Sequence, residues 1–451
     1  MTGERLLITG GAGFIGSAIV EAALSEGYSV RVLDSLRADV HGPVSGFETV
    51  PGPGPERGPM IERGPGNGAR ARNAVPPGMD PRVEFIHGDV TNPTTVARAL
   101  ENIDVVCHQA AKVGLGVDFA DAPDYVHSNE VGTAVLLAGM ADLGLLRLVM
   151  ASSMVVYGEG SYRVANGFAR PGPRLASDLD AGRFDPIDPV SGHPMEPALV
   201  SETDPLDPRN VYASSKLGQE YLATSWVRST GGRVAALRYH NVYGPGMPQN
   251  TPYAGVASLF RSAIERHEAP RVYEDGRQRR DFVHVRDIAA ANIAALKFTA
   301  PGFTALDSPG ALDLPGALDS PGALDSPDGV NSPDAQNSTG RQDSTGDLDV
   351  PDGRHSTGVQ NPTAALDPGE FRAFNVGSGI VHTIGDMAAA LAAASNGPAP
   401  IVTGQYRLGD VRHITASSER LRRELGWCAQ VSFDDGMREF ATAPLRAAVR
   451  P

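Results

Sequence analysis

The sequence predicts an α/β fold, with a doubly wound parallel sheet followed by a smaller mixed C-terminal domain. Short apolar runs of strand length alternate with helical patterns, beginning with the run from Leu6 to Ile8. This alternation is typical of parallel strands joined by helices, in which the carboxyl ends of the strands share one edge of the sheet. We therefore predict one domain over residues 1–245. A second region covers residues 246–445, and some of its elements return to the sheet.

A glycine-rich turn follows the first strand, with glycines at Gly10, Gly13 and Gly16. Gly10 permits a tight turn, Gly13 lets the backbone approach a pyrophosphate, and Gly16 lets the next helix pack on the strand. The N-terminus of that helix directs free N–H groups at the anion. The next strand, 28–33, ends at Asp34, whose carboxylate accepts hydrogen bonds from a ribose 2′-OH and repels a 2′-phosphate. These features predict a Rossmann-type NAD site; the alternative is a glycine-rich turn in an ordinary α/β unit.

The composition disfavours several classes of protein. Among 451 residues, 39 Lys and Arg stand against 53 Asp and Glu, which gives a formal charge of −14. An acidic surface disfavours nonspecific binding to nucleic acid or to anionic membranes. The two cysteines, Cys107 and Cys428, are far apart and predict neither a disulfide framework nor a metal site. The chain enters its first strand at once and has no apolar run of membrane-spanning length, so we predict a cytoplasmic protein.

Three long segments interrupt the alternation. Residues 35–81 are rich in Gly and Pro and predict a mobile surface insertion. Residues 159–208 are polar, Pro-rich and irregular, and they either border a pocket at the sheet edge or form a passive insertion. Residues 302–368 contain near copies of Ala305-Leu-Asp-Ser-Pro-Gly310 at a period of six and predict an acidic, disordered loop. A calcium-binding loop is the less favoured alternative, because the aspartate spacing matches no known coordination loop.

Loops after the later strands supply small and polar residues. Asp89 follows a short strand and can either hold an adenine amine or cap the next helix. Ala110 and Ala111 follow the next strand, where small residues let the backbone pass close to a cofactor. Ser152 and Ser153 stand at the end of the strand after that. Because ligands of open parallel sheets bind outside the carboxyl ends of the strands, we expect these loops to face one crevice.

A later helix carries a tyrosine and a lysine, Tyr212 and Lys216, four residues apart on one face. On its own, such a pair more often packs against neighbouring side chains than takes part in a reaction. The glycine turn and the serines earlier in the chain favour a catalytic role for this pair.

The C-terminal half combines cations and a carboxylate in the stretch Arg407-Leu-Gly-Asp410. A strand is predicted at 371–376 and a helix at 384–394, with Thr383 as its cap. We predict a terminal helix at 417–425, which ends before a Gly-Trp pair. The second region is therefore predicted to be a mixed unit that binds substrate.

These motifs together resemble the extended short-chain dehydrogenase/reductase family, in its NAD-dependent nucleotide-sugar epimerase/dehydratase group. The resemblance extends from Leu6 to about Phe440 apart from the three insertions. It is carried by Thr9 to Gly16, Asp34, Gly88-Asp89, Asn129 with Gly132-Thr133, Ser152-Ser153 before Val156-Tyr157-Gly158, Tyr212 to Lys216, Arg238 to Pro245, Arg280 to His284, and Arg407 to Asp410. The motifs are specific for the family and less specific for the substrate.

The resemblance implies that Ser153, Tyr212 and Lys216 are catalytic. Tyr212 would be the acid/base. Lys216 would bond the nicotinamide ribose and lower the tyrosine pKa, helped by the positive nicotinamide ring. Ser153 would hydrogen-bond the reacting sugar hydroxyl.

The resemblance also implies two sets of binding residues, a nucleotide-diphosphate sugar as the substrate, and a homodimer. The NAD-binding residues would be Gly10, Gly13, Phe14, Ile15, Gly16, Asp34, Asp89, Val90, Ala110, Ala111, Asn129, Ser152, Tyr212 and Lys216. The substrate-binding residues would be Ser153, Asn241, Arg280, Arg407 and Asp410. Guanidinium groups suit a diphosphate because they form paired, charge-assisted hydrogen bonds.

The residues after Ser153 indicate the reaction. At the two positions after this serine, dehydratases of the group have a pair of acidic residues, and decarboxylating relatives typically have a Glu. This chain has Met154 and Val155 there, whose side chains cannot transfer protons. The resemblance therefore favours 4-epimerisation, in the subgroup of dTDP-L-rhamnose 4-epimerase-like proteins. Relatives often carry Cys-x-x-Cys where this chain has Asp188 to Ser191, so no metal site is predicted. The alternatives are an NAD(H)-dependent dehydrogenase or 4-ketoreductase of the same substrates, and a non-catalytic NAD sensor or scaffold.

Overall fold

The computed structural model describes residues 3–42, 44, 46–47, 75–114, 119–249, 255–303 and 366–446. Most of the predicted insertion 35–81 and nearly all of 302–368 lie outside these residues. The predictions of a mobile insertion and of a disordered acidic loop therefore stay predictions.

The described residues form fifteen strands and twelve α-helices. The strands are β1 Arg5–Thr9, β2 Ser29–Asp34, β3 Glu84–His87, β4 Val105–His108, β5 Arg147–Ser153, β6 Ser161–Val164, β7 Gly167–Ala169, β8 Glu196–Ala198, β9 Arg233–Tyr239, β10 Asn241–Tyr243, β11 Arg271–Val272, β12 Arg279–His284, β13 Phe371–Val376, β14 Val381–Thr383 and β15 Ile401–Val402. The helices are α1 Phe14–Ser25, α2 Ala38–His41, α3 Pro93–Leu100, α4 Ala122–Tyr125, α5 Gly132–Asp142, α6 Ala176–Asp180, α7 Val211–Thr230, α8 Val256–Glu265, α9 Val285–Phe298, α10 Ile384–Ala394, α11 Glu419–Leu425 and α12 Phe433–Thr442. A π-helical stretch, Val126–Val131, joins α4 to α5.

Seven of these strands form one parallel sheet in the order β13-β9-β5-β4-β1-β2-β3. The chain order reverses between β1 and β4, which creates the switch point where such sheets bind ligands. The prediction of a doubly wound parallel sheet is confirmed. The return of β13 to the sheet edge also brings part of the C-terminal half into this sheet.

Helices cover both faces of the sheet. On one face α1 and α9 bury apolar side chains such as Ile19 and Leu296 against the strands. On the other face α3, α5 and α7 bury side chains such as Val96, Leu137 and Trp226. Full burial of side chains of this size stabilises the fold by about 1.5–3 kcal/mol each, so both layers are held mainly by apolar packing.

The C-terminal half forms a second core beside the sheet edge. Helices α8, α10 and α12 pack around apolar side chains that include Phe260, Leu391 and Phe440. Small sheets, β10-β12-β14 and β11-β15, complete this region. The ring of Phe14, at the start of α1, packs against this same core and joins it to the glycine turn.

Two predictions about elements were wrong. Residues 159–208 are not irregular throughout, because they contain α6 and an antiparallel sheet in the order β7-β6-β8. These strands have only three or four residues, too few to show an alternating pattern in the sequence. The helix placed at 417–425 is shorter and not terminal: α12 follows it, capped by the Ser432 hydroxyl, which accepts a hydrogen bond from the Asp435 N–H.

No helix among the described residues is long and apolar enough to span a membrane. Within the same ranges, no group of three or more His, Cys, Asp or Glu side chains is arranged to hold a metal ion.

A substitution at Gly16 tests how tightly α1 packs on the glycine turn. A Cβ at this position would lie 2.1 Å from the carbonyl oxygen of Gly10, which is backbone and cannot move aside easily. We expect Gly16→Ala to lower the free energy of unfolding by about 1–3 kcal/mol in urea denaturation. Gly172→Ala is the control, because a Cβ there meets no atom within 4 Å, and it should change stability by less than about 0.5 kcal/mol. Equal stability of the two variants would contradict this packing.

Candidate active site

Helix α7 begins at the carboxyl edge of the sheet and carries the predicted tyrosine and lysine. The side chain of Asn210 caps it by accepting a hydrogen bond from the Ala213 N–H at 2.8 Å. Tyr212 therefore lies in the first turn, and Lys216 lies one turn later on the same face. The Lys216 Nζ donates a hydrogen bond of 3.1 Å to the carbonyl oxygen of Ala151 in β5. This contact fixes the lysine, and with it the start of α7, to the end of β5.

Ser153 is the last residue of β5 and lies next to Tyr239 of β9 in the sheet register. Its side chain lies near enough to the Tyr212 hydroxyl to lower the pKa of that phenol. The structure thus brings together the three residues predicted to be catalytic. Their catalytic roles remain predictions.

Burial shifts the pKa values of the tyrosine and the lysine in opposite directions. It raises the pKa of Tyr212 to about 12, against the hydrogen bond from Ser153, which lowers it. It lowers the pKa of Lys216 to about 8, against the nearby carboxylate of Glu220, which raises it. Both shifts disfavour the charged forms, as desolvation does for any buried acid or base. The phenol therefore keeps its proton until positive charge is brought close to it.

A buried ion pair supports the site from behind. The guanidinium of Arg238 in β9 donates to both carboxylate oxygens of Glu220 in α7, at 2.9 and 2.7 Å. Ser152 donates to the same carboxylate at 2.5 Å. Arg238 also donates to the Tyr157 hydroxyl at 2.8 Å, and that hydroxyl donates to Asn375 of β13 at 2.7 Å. We did not predict this network from the sequence, although an arginine inside an otherwise apolar strand is a signal for a buried partner.

The glycine turn is shaped to receive a dinucleotide. A Cβ at Gly10 would lie 2.7 Å from the Ala110 N–H nitrogen, so only glycine lets these two loops approach so closely. The Gly10 φ of 70° is also in the region that favours glycine. Helix α1 begins at Phe14 and Ile15 with no side-chain cap and no acidic residue in its first turn. Its N–H groups are thus directed at an external anion, which fits the pyrophosphate of NAD.

Asp34 stands at the end of β2 beside this turn and is almost fully buried. One carboxylate oxygen accepts a hydrogen bond from the Ala12 N–H at 3.0 Å, and the other accepts from the Leu36 N–H at 2.9 Å. These bonds fix the carboxylate at the position where a dinucleotide places its adenosine ribose. Asp89 and Val90 follow β3, and Asp89 accepts from the Thr91 N–H and hydroxyl, both at 2.8 Å. The alternative role of Asp89 as a helix cap is wrong, because Asn92 caps α3.

Two residues predicted to bind NAD use their side chains inside the protein. Asn129, in the π-helical stretch, accepts from the Lys112 N–H at 2.7 Å and donates to the Ser215 hydroxyl at 2.8 Å. It therefore ties the loop that contains Ala111 to α7. Ser152 is the second, because its hydroxyl is engaged by the ion pair behind the site. Any contact of these two residues with NAD stays a prediction.

Three of the five residues predicted to bind substrate interact with one another through charge. Arg280, Arg407 and Arg174 all act electrostatically on Asp410, whose pKa is raised by burial. Arg280 donates to the carbonyl oxygens of residues 411 and 412 at 2.8 and 2.9 Å. The Arg407 guanidinium lies 5.4 Å from the centre of the Tyr273 ring and is exposed. Arg280 and Arg407 thus act on the same carboxylate, and the roles of all three residues in substrate binding stay predictions.

Two adjacent polar residues lie between this cluster and Ser153. His240 directly follows Tyr239, the residue opposite Ser153, and its pKa is lowered to about 3 by burial and by Arg280. Its ring is therefore neutral near pH 7. Among the described residues, neither ring nitrogen of His240 nor the Oδ1 of Asn241 has a hydrogen-bond partner. His240 was not predicted from the sequence, since a single histidine after a strand gives no specific signal.

The segment 159–208 lies against the substrate side of the site. Its Asp185 accepts from the buried Arg412 at 2.7 Å and contacts His413 at 3.0 Å. Its Arg174 donates to the carbonyl oxygen of Asp410 at 2.6 Å. These contacts fasten the loop that carries Asp410 and favour the interpretation of this segment as a border of the pocket.

The fold and the site define a Rossmann-type enzyme with a Ser, Tyr and Lys group beside a dinucleotide cradle. The model of the NAD dependent epimerase/dehydratase family matches residues 6–173 and 187–304, more than half of the chain. The chain belongs to this family, and its cofactor is NAD. The cradle, the uncapped start of α1 and the fixed carboxylate of Asp34 fit this cofactor.

Individual relatives match between about two thirds and nearly all of the chain. The dTDP-L-rhamnose 4-epimerase of Burkholderia thailandensis is 27% identical over 446 residues, which are 98% of this chain and 94% of the relative. A putative UDP-glucose 4-epimerase of Methanocaldococcus jannaschii is 29% identical over 297 residues, 65% of this chain and 73% of the relative. The crystal structure of a Thermus thermophilus UDP-glucose 4-epimerase with NAD superimposes with a TM-score of 0.59 at 25% identity and covers 97% of each chain.

Replacing Lys216 tests whether a buried cation is held in the site at a cost in stability. Its pKa is about 8, against 10.5 for an unburied lysine. Holding the protonated side chain in the folded protein therefore lowers the free energy of unfolding at pH 7 by about 3 kcal/mol. We expect cofactor-free Lys216→Met to be more stable than the wild type at pH 7 by up to that amount. Between pH 8 and 10.5 the unfolded chain binds the proton that the folded chain has lost, so wild-type stability rises and the difference shrinks.

Urea denaturation at several pH values measures this difference. Lys297→Met is the control, because Lys297 pairs with Glu26 at the surface and should show no such pH-dependent gain. If Lys216→Met were less stable than the wild type at pH 7, the claim that the buried Lys216 charge destabilises the folded protein would be wrong.

Proposed function

We propose that this protein is an NAD-dependent 4-epimerase of a nucleotide-diphosphate sugar, dTDP- or UDP-linked, that acts through a transient 4-keto intermediate. The observation that carries the proposal is the group of Ser153, Tyr212 and Lys216 beside the NAD cradle, followed by the apolar pair Met154 and Val155. This set can remove and return a proton at one hydroxyl, and it adds no further acid or base.

In the proposed reaction Tyr212 accepts the proton of the sugar C4 hydroxyl, while Ser153 holds that hydroxyl by a hydrogen bond. NAD, when bound, supplies the hydride acceptor that the oxidation of C4 requires and the hydride donor for its reversal. The protonated Lys216 and the positive nicotinamide ring both stabilise the Tyr212 phenolate, which offsets the raised pKa of the buried phenol. Tyr212 then returns the proton once the opposite face of the 4-keto group has been reduced.

The carboxylates near the site support epimerisation over dehydration. Elimination of water requires an acid and a base in addition to the tyrosine. Glu220 is held by Arg238, as described above. Glu159 accepts hydrogen bonds from the N–H groups of Arg412 and His413 and from the Tyr162 hydroxyl. Within the described part of the chain, neither carboxylate is therefore available for proton transfer.

The substrate class is supported by the charge on the far side of the site. Arg280 and Arg407 supply guanidinium groups suited to a diphosphate, and the unpartnered polar atoms of His240 and Asn241 suit sugar hydroxyls. Relatives named as dTDP-L-rhamnose and UDP-glucose 4-epimerases make these two nucleotides the first to test. We further propose that the protein is a cytoplasmic homodimer.

Incubation of the purified enzyme with a panel of dTDP- and UDP-sugars, including dTDP-L-rhamnose, tests the proposal. We expect proton NMR to show one 4-epimer accumulating without added reductant, and absorbance to show no build-up of NADH. Stoichiometric NADH, or turnover that needs added NADH, would instead identify the dehydrogenase or 4-ketoreductase.

A tyrosine variant in the same assay separates an enzyme from an NAD sensor. Tyr212→Phe should lower the rate by about 10²–10⁴ and still retain NAD, because only the transferable proton is lost. Tyr221→Phe is the control, since this tyrosine lies on the same helix but is 60% exposed to solvent. Equal rates for the two variants would exclude Tyr212 as the acid/base.

A further inference from the structure

An arginine near the C-terminus lies against the glycine turn. Arg446 donates from Nη1 to the carbonyl oxygen of Ala12 at 2.6 Å. From Nη2 it donates to the carbonyl oxygen of Gly13 at 3.2 Å and to the Ser17 hydroxyl at 3.1 Å. These contacts join positions that are very far apart in the chain, so no local pattern in the sequence predicts them.

The backbone around Arg446 is fastened to the segment after β10. The Arg446 N–H donates to the carbonyl oxygen of Met247 at 3.1 Å, and the Gln249 N–H donates to the Arg446 carbonyl at 3.0 Å. Two residues before Arg446, the Pro444 carbonyl accepts from the Gly246 N–H at 3.2 Å. Residues 443–446 therefore form a braced arm, rather than a free tail, that presents the guanidinium to the turn.

The placement of this cation has an electrostatic cost that a bound anion would offset. The side chain is partly buried and lies beside the N-terminal end of α1, where the helix dipole is already positive. That helix has no acidic residue in its first turn and no side-chain cap. Asp34 is the carboxylate that acts on Arg446 electrostatically, and its two oxygens also accept from backbone N–H groups. A negatively charged pyrophosphate would neutralise the remaining positive potential.

We propose that Arg446 is a residue of the NAD site, held in place from the C-terminal arm. By binding the carbonyl oxygens of Ala12 and Gly13, it fixes the turn. The N–H of the first of these peptides, that of Gly13, donates to the Gly10 carbonyl, and the N–H of the second, that of Phe14 at the uncapped start of α1, would face the pyrophosphate. Its charge adds to that of the α1 N-terminus and lowers the rate at which NAD leaves. The arm thus couples the C-terminal half of the chain to cofactor retention. The inference depends on the family's cofactor and not on which sugar is the substrate.

Binding of NAD to the cofactor-free protein, without any sugar, tests this role by titration calorimetry. We expect Arg446→Gln to bind NAD about tenfold to hundredfold more weakly than the wild type, the effect of losing one charge-assisted contact. Arg438→Gln is the matched control. Arg438 lies on the adjacent α12, pairs with Asp435 at the surface, and its loss should leave NAD affinity unchanged.

The dependence of affinity on salt distinguishes a charge contribution from a structural one. From about 50 to about 500 mM salt, NAD affinity should fall less steeply for Arg446→Gln than for the wild type, because one cation near the pyrophosphate has been removed. Arg446→Lys keeps the charge and loses the paired donors, so it should keep the wild-type salt dependence with a lower affinity.

Two results would overturn the proposal. One is an Arg446→Gln affinity within about twofold of the Arg438→Gln control. The other is a weakened affinity with an unchanged salt dependence, which would leave Arg446 as a structural brace alone. If Arg446→Gln does not fold, Arg446→Lys still decides, since an affinity equal to that of the wild type would refute the paired contact. A failure of epimerase activity in the sugar assay would leave these binding results unaffected.

Discussion

The site depends on the way helix α7 is fastened to the end of strand β5. Two buried contacts make this attachment: Lys216 to the Ala151 carbonyl, and Glu220 to the Ser152 hydroxyl. The same Glu220 carboxylate forms an ion pair with Arg238 of the neighbouring strand β9. The ion pair is almost completely removed from water, so loss of one partner would leave an unpaired charge at a cost of about 3–5 kcal/mol. Because Ser153 is the last residue of β5 and Tyr212 lies in the first turn of α7, the attachment also fixes the distance between their two hydroxyls. The relative placement of Ser153 and Tyr212 therefore follows from buried contacts made one and two turns further along the same face of the helix.

The glycine turn is the second point at which distant parts of the chain meet. On one side of it the ring of Phe14 packs into the C-terminal core, and on another the Arg446 side chain binds its carbonyl oxygens. The turn is therefore held by elements from both halves of the chain. This arrangement suits the proposed reaction, in which a cofactor that left between the two hydride transfers would strand the proposed 4-keto intermediate.

Local sequence patterns predicted the parallel sheet, the glycine turn and Asp34, because each depends on strand and helix periodicity or on short spacings. The association of Ser153 with Tyr212 was implied instead by the family resemblance. Other features depend on contacts between residues far apart in the chain. Arg412 reaching Asp185, Arg238 reaching Glu220 and Arg446 reaching the glycine turn are set by tertiary packing, which no single stretch encodes. The short strands within 159–208 escaped prediction because three or four residues are too few to show an alternating pattern. One of them, β6, also makes a distant contact, since the Tyr162 ring lies 5.9 Å from the His413 ring.

In the proposed reaction the site oxidises and reduces the same carbon without releasing the intermediate or the reduced cofactor. A nucleotide sugar labelled with deuterium at C4 tests it most directly, once a substrate is in hand. If the account is correct, mass spectrometry and NMR will show the deuterium fully retained at C4 of the epimer formed in ordinary water. Loss of the label to solvent, or its appearance in free reduced cofactor, would contradict the account, because the hydrogen would then have left the site between the two steps.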